Sequence, residues 1–386
     1  MLSQIEGSRA VAETVARCRP RVVPAYPISP QTHIVEGIAD LVATGALAPC
    51  ELITVESEFA AMSVAIGASA TGARTYTATA SQGLLFMAEA LYNASGLGLP
   101  IVMTVANRAI GAPINIWNDH SDTMSQRDSG WLQLYARDNQ HAADLHVLAF
   151  RLAEKLSLPV MVCMDGFLLT HAVERVDVPE QDQVDAYLPA FAPRQVLDPA
   201  HPVSIGAMVG PEAFTEVKYL THTRTLAALD WIPMLARSLS SVLGREVPGL
   251  LAPYRLYGAD TVVVAMGSVL GTLADTVDEL RASGVPVGAL GLTTFRPFPT
   301  AALRAALAGA KRIVVLERAF GAGVGGIVTA DLRAATGDTP LWTVVAGLGG
   351  RPVTSASLRT MLANLDRLEP LSFLDLDVDQ IAQELL

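Results

Sequence analysis

The sequence predicts an α/β protein of two domains, a larger one built on a parallel sheet and a smaller α/β unit behind it. Apolar runs of strand length alternate with helical stretches along most of the chain, the pattern of a parallel sheet covered on both faces. The 386 residues also exceed what one core usually holds, roughly 250–300. A break at Gly244-Arg245-Glu246-Val247-Pro248-Gly249 is followed by a second round of alternation.

The first strands are read at Arg21–Tyr26, Glu51–Val55, Thr75–Thr79, Pro100–Val105 and Pro159–Val162. Between the second and third lies a stretch from Phe59 to Gly72 made of Ala, Gly, Ser, Met, Val and Ile. A helix apolar nearly all round should be buried. From Val173 to Pro202 the scattered Asp, Pro and Gln read as a long surface connection, and a helix is expected over Glu212–Leu243. The second round of strands is Thr261–Met266, Val285–Leu290, Arg312–Leu316 and Leu341–Val345. The expected division is a first domain over 1–243, a linker over 244–258 and a second domain over 259–386.

Composition narrows the function classes. With 51% hydrophobic and 17% charged residues and a mean hydropathy of +0.37, the chain is richer in apolar side chains than a typical monomer, which points to buried subunit interfaces. No run reaches the roughly 18 uncharged residues of a membrane span. A net charge of -11 and a pI near 5.1 argue against a nucleic-acid backbone as partner. Cys18, Cys50 and Cys163 are too far apart for a cluster or zinc motif, so reduced structural thiols are expected. Met1–Gly7 has no secretory pattern, and a cytoplasmic enzyme is the expectation.

In open parallel sheets, ligands bind where strands run into helix N-termini. The first strand runs into Tyr26-Pro27-Ile28-Ser29-Pro30-Gln31, where two prolines fix the loop around Ser29. That hydroxyl either donates to an anionic ligand or caps the helix. The second runs into Val55-Glu56-Ser57-Glu58, placing the Glu58 carboxyl at the mouth of an apolar helix. A carboxyl there either finds a specific partner, such as a heteroaromatic ring nitrogen, or is solvated at the helix N-terminus. The fourth strand ends at Asn107-Arg108, and the Arg108 guanidinium either grips a carboxylate ligand or joins a structural ion pair. Thr79-Ala80-Ser81-Gln82-Gly83 either lines a cleft or only turns the chain. Trp117-Asn118-Asp119-His120-Ser121-Asp122 has the composition of a metal site without characteristic ligand spacing, so local hydrogen bonding is the expected use. Gly321–Gly326 resembles a dinucleotide loop only as a lone glycine run, and nicotinamide binding is not expected.

Taken in order, Tyr26–Thr32, Val55–Glu58, Thr79–Gly83, Ala106–Ala109, Ala112–His120, Asp165–Phe167, Arg296–Pro299 and Gly347–Arg351 resemble the alpha subunits of the pyruvate:ferredoxin oxidoreductase family. The similarity covers nearly the whole chain. It implies a pyrimidine-type thiamine-diphosphate domain followed by a transketolase C-terminal-like domain. It further implies that Glu58 acts catalytically at the aminopyrimidine, that Pro27 and Ile28 join it in contacting the cofactor, and that Ser29 and Arg108 hold the substrate carboxylate. Thiamine diphosphate would be shared with a beta-type partner that brings the Mg2+ site. Iron–sulfur clusters, in separate iron–sulfur or gamma-type partner subunits, would carry electrons to ferredoxin or another acceptor, and the acyl group would pass to coenzyme A. Pyruvate is the first choice of 2-oxoacid and an arylglyoxylate the second. The fold alone also admits a transketolase-like transferase or a scaffold subunit. Two departures, Ser29 where the family usually has threonine and Phe59 where many archaeal relatives have histidine, bear on the choice of 2-oxoacid.

Overall fold

Each apolar run between helices becomes a strand, and three in the first unit are buried over their whole length: Thr75–Thr79, Ile101–Asn107 and Val160–Asp165. In the computed structural model, which describes residues 2–384, they join a seven-stranded sheet. Its order from one edge is Thr294–Arg296, Leu132–Tyr135, Val160–Asp165, Ile101–Asn107, Thr75–Thr79, Val22–Ala25 and Glu51–Thr54. All neighbours run parallel except the first pair. The chain steps outward from Val22–Ala25 to Glu51–Thr54, then crosses back to Thr75–Thr79 on the other side. This reversal opens a crevice at the carboxyl ends of Val22–Ala25 and Thr75–Thr79, the place where such sheets bind ligands.

The second sheet has the order Leu371–Phe373, Leu341–Val345, Arg312–Glu317, Thr261–Ala265, Val287–Leu292 and Leu251–Tyr254, with only the last strand antiparallel. One core cluster runs through both sheets, from Met62, Leu91 and Met103 to Val264, Leu290 and Phe295. The strand Thr294–Arg296 crosses from the second unit to the edge of the first sheet, where the Tyr135 amide donates to the Thr293 carbonyl at 2.7 Å. The two units are therefore locked by backbone pairing as well as by packing.

Several expectations change. Leu132–Tyr135, Thr294–Arg296 and Leu371–Phe373 are strands of three or four residues, too short to show periodicity. Val173–Asp177, expected within a surface connection, pairs antiparallel with Leu2–Glu6, and the helix Gln181–Tyr187 follows it. The stretch read as a linker contains the strand Leu251–Tyr254. The helix Glu58–Ala70, expected to be buried, leaves Phe59, Ser63 and Gly67 exposed, a stripe at four-residue spacing. Its opposite side, with Ala61, Met62, Ala65 and Ser69, packs on the sheet. The helix Phe214–Leu243 is long and apolar enough by length and composition to cross a membrane, although charged residues such as Arg224, Asp230 and Arg237 interrupt it. Its C-terminal half buries Ala228, Ile232, Leu235, Ala236 and Leu239 in the core of the first unit.

Candidate functional site

Five chain segments meet at the carboxyl end of the first sheet. The loop after Val22–Ala25 is held from below by Gln31, a buried side chain that donates to the Ala78 carbonyl at 2.7 Å and accepts from the Ile28 amide at 3.3 Å. This leaves Pro27 and Ser29 exposed and Ile28 half-buried. The next helix starts at Thr32 with Gln31 at its cap, so Ser29 is not the cap. The Ser29 carbonyl accepts from the Arg108 guanidinium at 2.9 Å.

Glu58 opens its helix behind Ser57, whose hydroxyl accepts from the Ala60 amide at 3.1 Å. That cap fixes the helix start. The Glu58 side chain is only 8% exposed. It lies over Gly83, where an added Cβ would come within 2.5 Å of Glu58 Oε1 and 2.6 Å of Thr79 Oγ1. Gly83 is thus small because two polar side chains converge on it. Thr79 Oγ1 is buried without a hydrogen-bond partner, and the Glu58 carboxyl takes no hydrogen bond or ion pair among the described residues. Leaving the buried hydroxyl unpaired is costly, so the site suits a ligand that hydrogen-bonds it and the carboxyl beside it.

Arg108 ends the central strand and is 7% exposed. Its guanidinium reaches two backbone carbonyls, Ser29 at 2.9 Å and Asn115 at 3.4 Å, and no carboxylate among the described residues. A structural ion pair is therefore not its use. Burial lowers its pKa, and Asp122 opposes that shift. A buried cation that meets only carbonyls among the described residues suits an anion, and its planar fork suits a carboxylate. The strands ahead of Ser29 and Arg108 are not adjacent, since Thr75–Thr79 lies between them. Arginine's length spans the gap.

The segment Trp117–Asp122 does more than bond its own backbone. Asp119 accepts from the Ser121 amide at 2.9 Å and from the Gly349 amide at 3.2 Å, tying the loop to the second unit. His120 bonds Asp165 at 2.7 Å, and Asp165 also takes Arg318 at 2.9 Å and the Ser268 amide at 2.8 Å. Burial would raise the Asp165 pKa, but Arg318 and His120 overcome it and hold the carboxyl well below its usual range. Asp122 turns the other way, accepting from Asn107, Ser81, Arg108 and Thr123. These three side chains diverge and offer no common metal position. A different trio, Glu6, His33 and His171, brings its ligand atoms within 4.8 Å of one another, with Glu6 and His33 hydrogen-bonded at 2.7 Å. Sequence reading did not join these three, because they lie on separate elements. The glycine run Gly321–Gly326 forms a short hairpin ahead of the helix Ile327–Thr336. Two amides of that helix start, Val328 and Thr329, already donate to the buried Glu317 carboxyl at 3.3 and 2.7 Å.

Residues 13–236 match the family described as "Pyruvate flavodoxin/ferredoxin oxidoreductase, thiamine diP-bdg", and residues 259–358 match "Pyruvate:ferredoxin oxidoreductase core domain II". The pyruvate synthase subunit PorA of Methanosarcina barkeri is 46% identical over 365 residues, covering 93% of this chain and 91% of that protein. The PorA subunit of Methanothermobacter thermautotrophicus is 42% identical, covering 96% of each. The ketoisovalerate oxidoreductase subunit VorA of Pyrococcus abyssi is 38% identical over 97% of this chain and 96% of that protein. In fold, the chain is similar to the 2-oxoglutarate:ferredoxin oxidoreductase from Magnetococcus marinus, with a TM-score of 0.72 at 21% identity, over 94% of this chain and 65% of that one.

Proposed function

This chain belongs to the pyruvate flavodoxin/ferredoxin oxidoreductase family, and from that premise we propose that it is the pyrimidine-side subunit of a multisubunit enzyme that oxidatively decarboxylates pyruvate. The identity to PorA subunits, 42–46%, against 37–38% to VorA subunits, favours pyruvate over a branched 2-oxoacid. A division of the chain within 244–258, ahead of the second-sheet strand Leu251–Tyr254, a cytoplasmic location and the partners belong to the same proposal. Those partners are a beta-type subunit with Mg2+, iron–sulfur subunits, coenzyme A and ferredoxin or another acceptor.

The observation that carries the reading is the Glu58 side chain, in a residue 8% exposed, meeting Thr79 over Gly83, where the Thr79 hydroxyl is buried without a partner and the Glu58 carboxyl takes no hydrogen bond or ion pair among the described residues. Residues of this kind fit an aminopyrimidine, whose ring nitrogens supply the missing hydrogen bonds. Thiamine diphosphate, with its pyrimidine held by Glu58 and Thr79, would supply the nucleophilic carbon and the electron sink that decarboxylation needs. Glu58 holds or moves a proton at the ring nitrogen, with Pro27 and Ile28 walling the cofactor side of the loop. Arg108 takes one edge of the substrate carboxylate, and the exposed Ser29 hydroxyl donates to the same group. The open stripe Phe59, Ser63 and Gly67 continues from Glu58 along its helix and is the face offered to the beta-type subunit.

Reconstitution tests the reading. The purified chain alone should neither decarboxylate pyruvate nor hold thiamine diphosphate tightly, and adding the beta-type and iron–sulfur subunits should restore both. Substantial turnover by the chain alone would contradict it.

A further inference from the structure

We infer that Asp122 is a positioning residue that sets the Arg108 guanidinium and the Ser81 turn for the 2-oxoacid carboxylate. The inference rests on the proposed role of Arg108. Asp122 is fully buried, and each carboxylate oxygen receives two donors. Oδ1 takes Asn107 Nδ2 at 2.8 Å and the Thr123 amide at 2.8 Å, while Oδ2 takes the Ser81 amide at 3.0 Å and the Arg108 amide at 2.9 Å. Three segments distant in sequence are thereby fixed to one side chain: the turn after Thr75–Thr79, the end of Ile101–Asn107, and the helix Ser121–Ser125.

Only a carboxylate does this. Its two oxygens offer about four acceptor sites, whereas an asparagine puts an NH2 group against two of the donors and leaves them buried and unpaired. Ser81 is held at φ +49°, a left-handed conformation unusual for a residue with a side chain. Besides the Asp122 bond to its amide, the Ser81 hydroxyl donates to the Ala109 carbonyl, one residue beyond Arg108. The turn that precedes Gly83 and the strand end that bears Arg108 are thus joined twice. From below, Tyr135 donates to Thr123 Oγ1 at 2.7 Å and Gln133 to the Thr123 carbonyl at 3.0 Å, so the platform does not tilt. Among the described residues Asp122 has no ion-pair partner, and the neighbouring Arg108 aims its guanidinium away at Ser29. Burial accordingly raises its pKa to about 6 against the four hydrogen bonds. An acid kept at that cost, with every bond spent on backbone or amide around Arg108, is placed to orient.

The test compares Asp122→Asn, Arg108→Lys and the double variant in the reconstituted complex. Asp122→Asn should raise the pyruvate KM about tenfold or more, with kcat changed far less and hydrogen–deuterium exchange at the thiazolium C2 unaltered. In the Arg108→Lys background the same substitution should add little, because both act through one guanidinium. Asn107→Ser removes one donor to Asp122 and gives a milder second reading of the same kind, a several-fold rise in KM. Independent, multiplying effects of Asp122→Asn and Arg108→Lys, or a matched loss of C2 exchange, would overturn the positioning role while leaving Arg108 in place. An unchanged KM in Arg108→Lys itself would remove the carboxylate reading, and this inference with it.

Discussion

At the scale of single residues, the candidate site is marked by groups that meet no ordinary charged partner among the described residues. Arg108 faces carbonyls alone, and its exchange for lysine loses the planar fork while keeping the charge. The expected cost in kcat/KM for pyruvate is about 1.5–3 kcal/mol, the worth of a hydrogen bond to a charged group, with cofactor affinity retained. Loss of cofactor with normal substrate saturation would reassign Arg108. Asp165 is the opposite case, fully paired with His120, Arg318 and Ser268. Its folded pKa lies below the unfolded value, so its stabilisation is present above pH ~4 and is lost as the pH falls further. Asp165→Asn leaves Arg318 buried without its carboxylate and should cost about 3–5 kcal/mol in chemical denaturation, with a flatter stability profile on the acid side. A stability unchanged by the substitution would mean the pair is idle.

Elements decide how much of this the sequence could disclose. The strands Thr75–Thr79 and Leu341–Val345 are legible to the residue because β-branched runs bounded by turn residues have few alternatives. The positions of Ser29, Glu58 and Arg108 at carboxyl ends follow from the same alternation. What they touch does not follow. Asp122 meets Ser81 across 41 residues and Asp165 meets Arg318 across 153, and no periodicity encodes such pairings. The helix Glu58–Ala70 shows the limit most plainly. Its composition says apolar on every side, yet only packing tells which side meets its own sheet and which, at Phe59, Ser63 and Gly67, stays open. Gly67 has nothing within 4 Å of an added Cβ. Gly67→Glu should therefore leave the isolated chain's stability within about 0.5 kcal/mol, the usual range for a surface change. The same variant should fail to assemble with the beta-type subunit in size-exclusion chromatography; normal assembly would show that this face lies outside the contact.

For the whole molecule, the cores of the two sheets are continuous and the loop Asn115–Asp119 is pinned to Gly349, so the second unit buttresses the site from outside. On the proposed reading, this is half of a reaction centre, in which Glu58 and Arg108 meet no opposite charge among the described residues, and a partner subunit brings the rest of the cofactor's binding site. The most direct test is hydrogen–deuterium exchange at the thiazolium C2 of thiamine diphosphate in the reconstituted complex, at saturating cofactor, with Glu58 and with Glu58→Gln. The account predicts a slowing of about 10²–10⁴ in the variant while cofactor still binds, the usual cost of losing a positioned acid–base group. Equal exchange in the two proteins would contradict it, because Glu58 would then have no part in the proton transfer that its burial beside Thr79 and Gly83 was taken to serve.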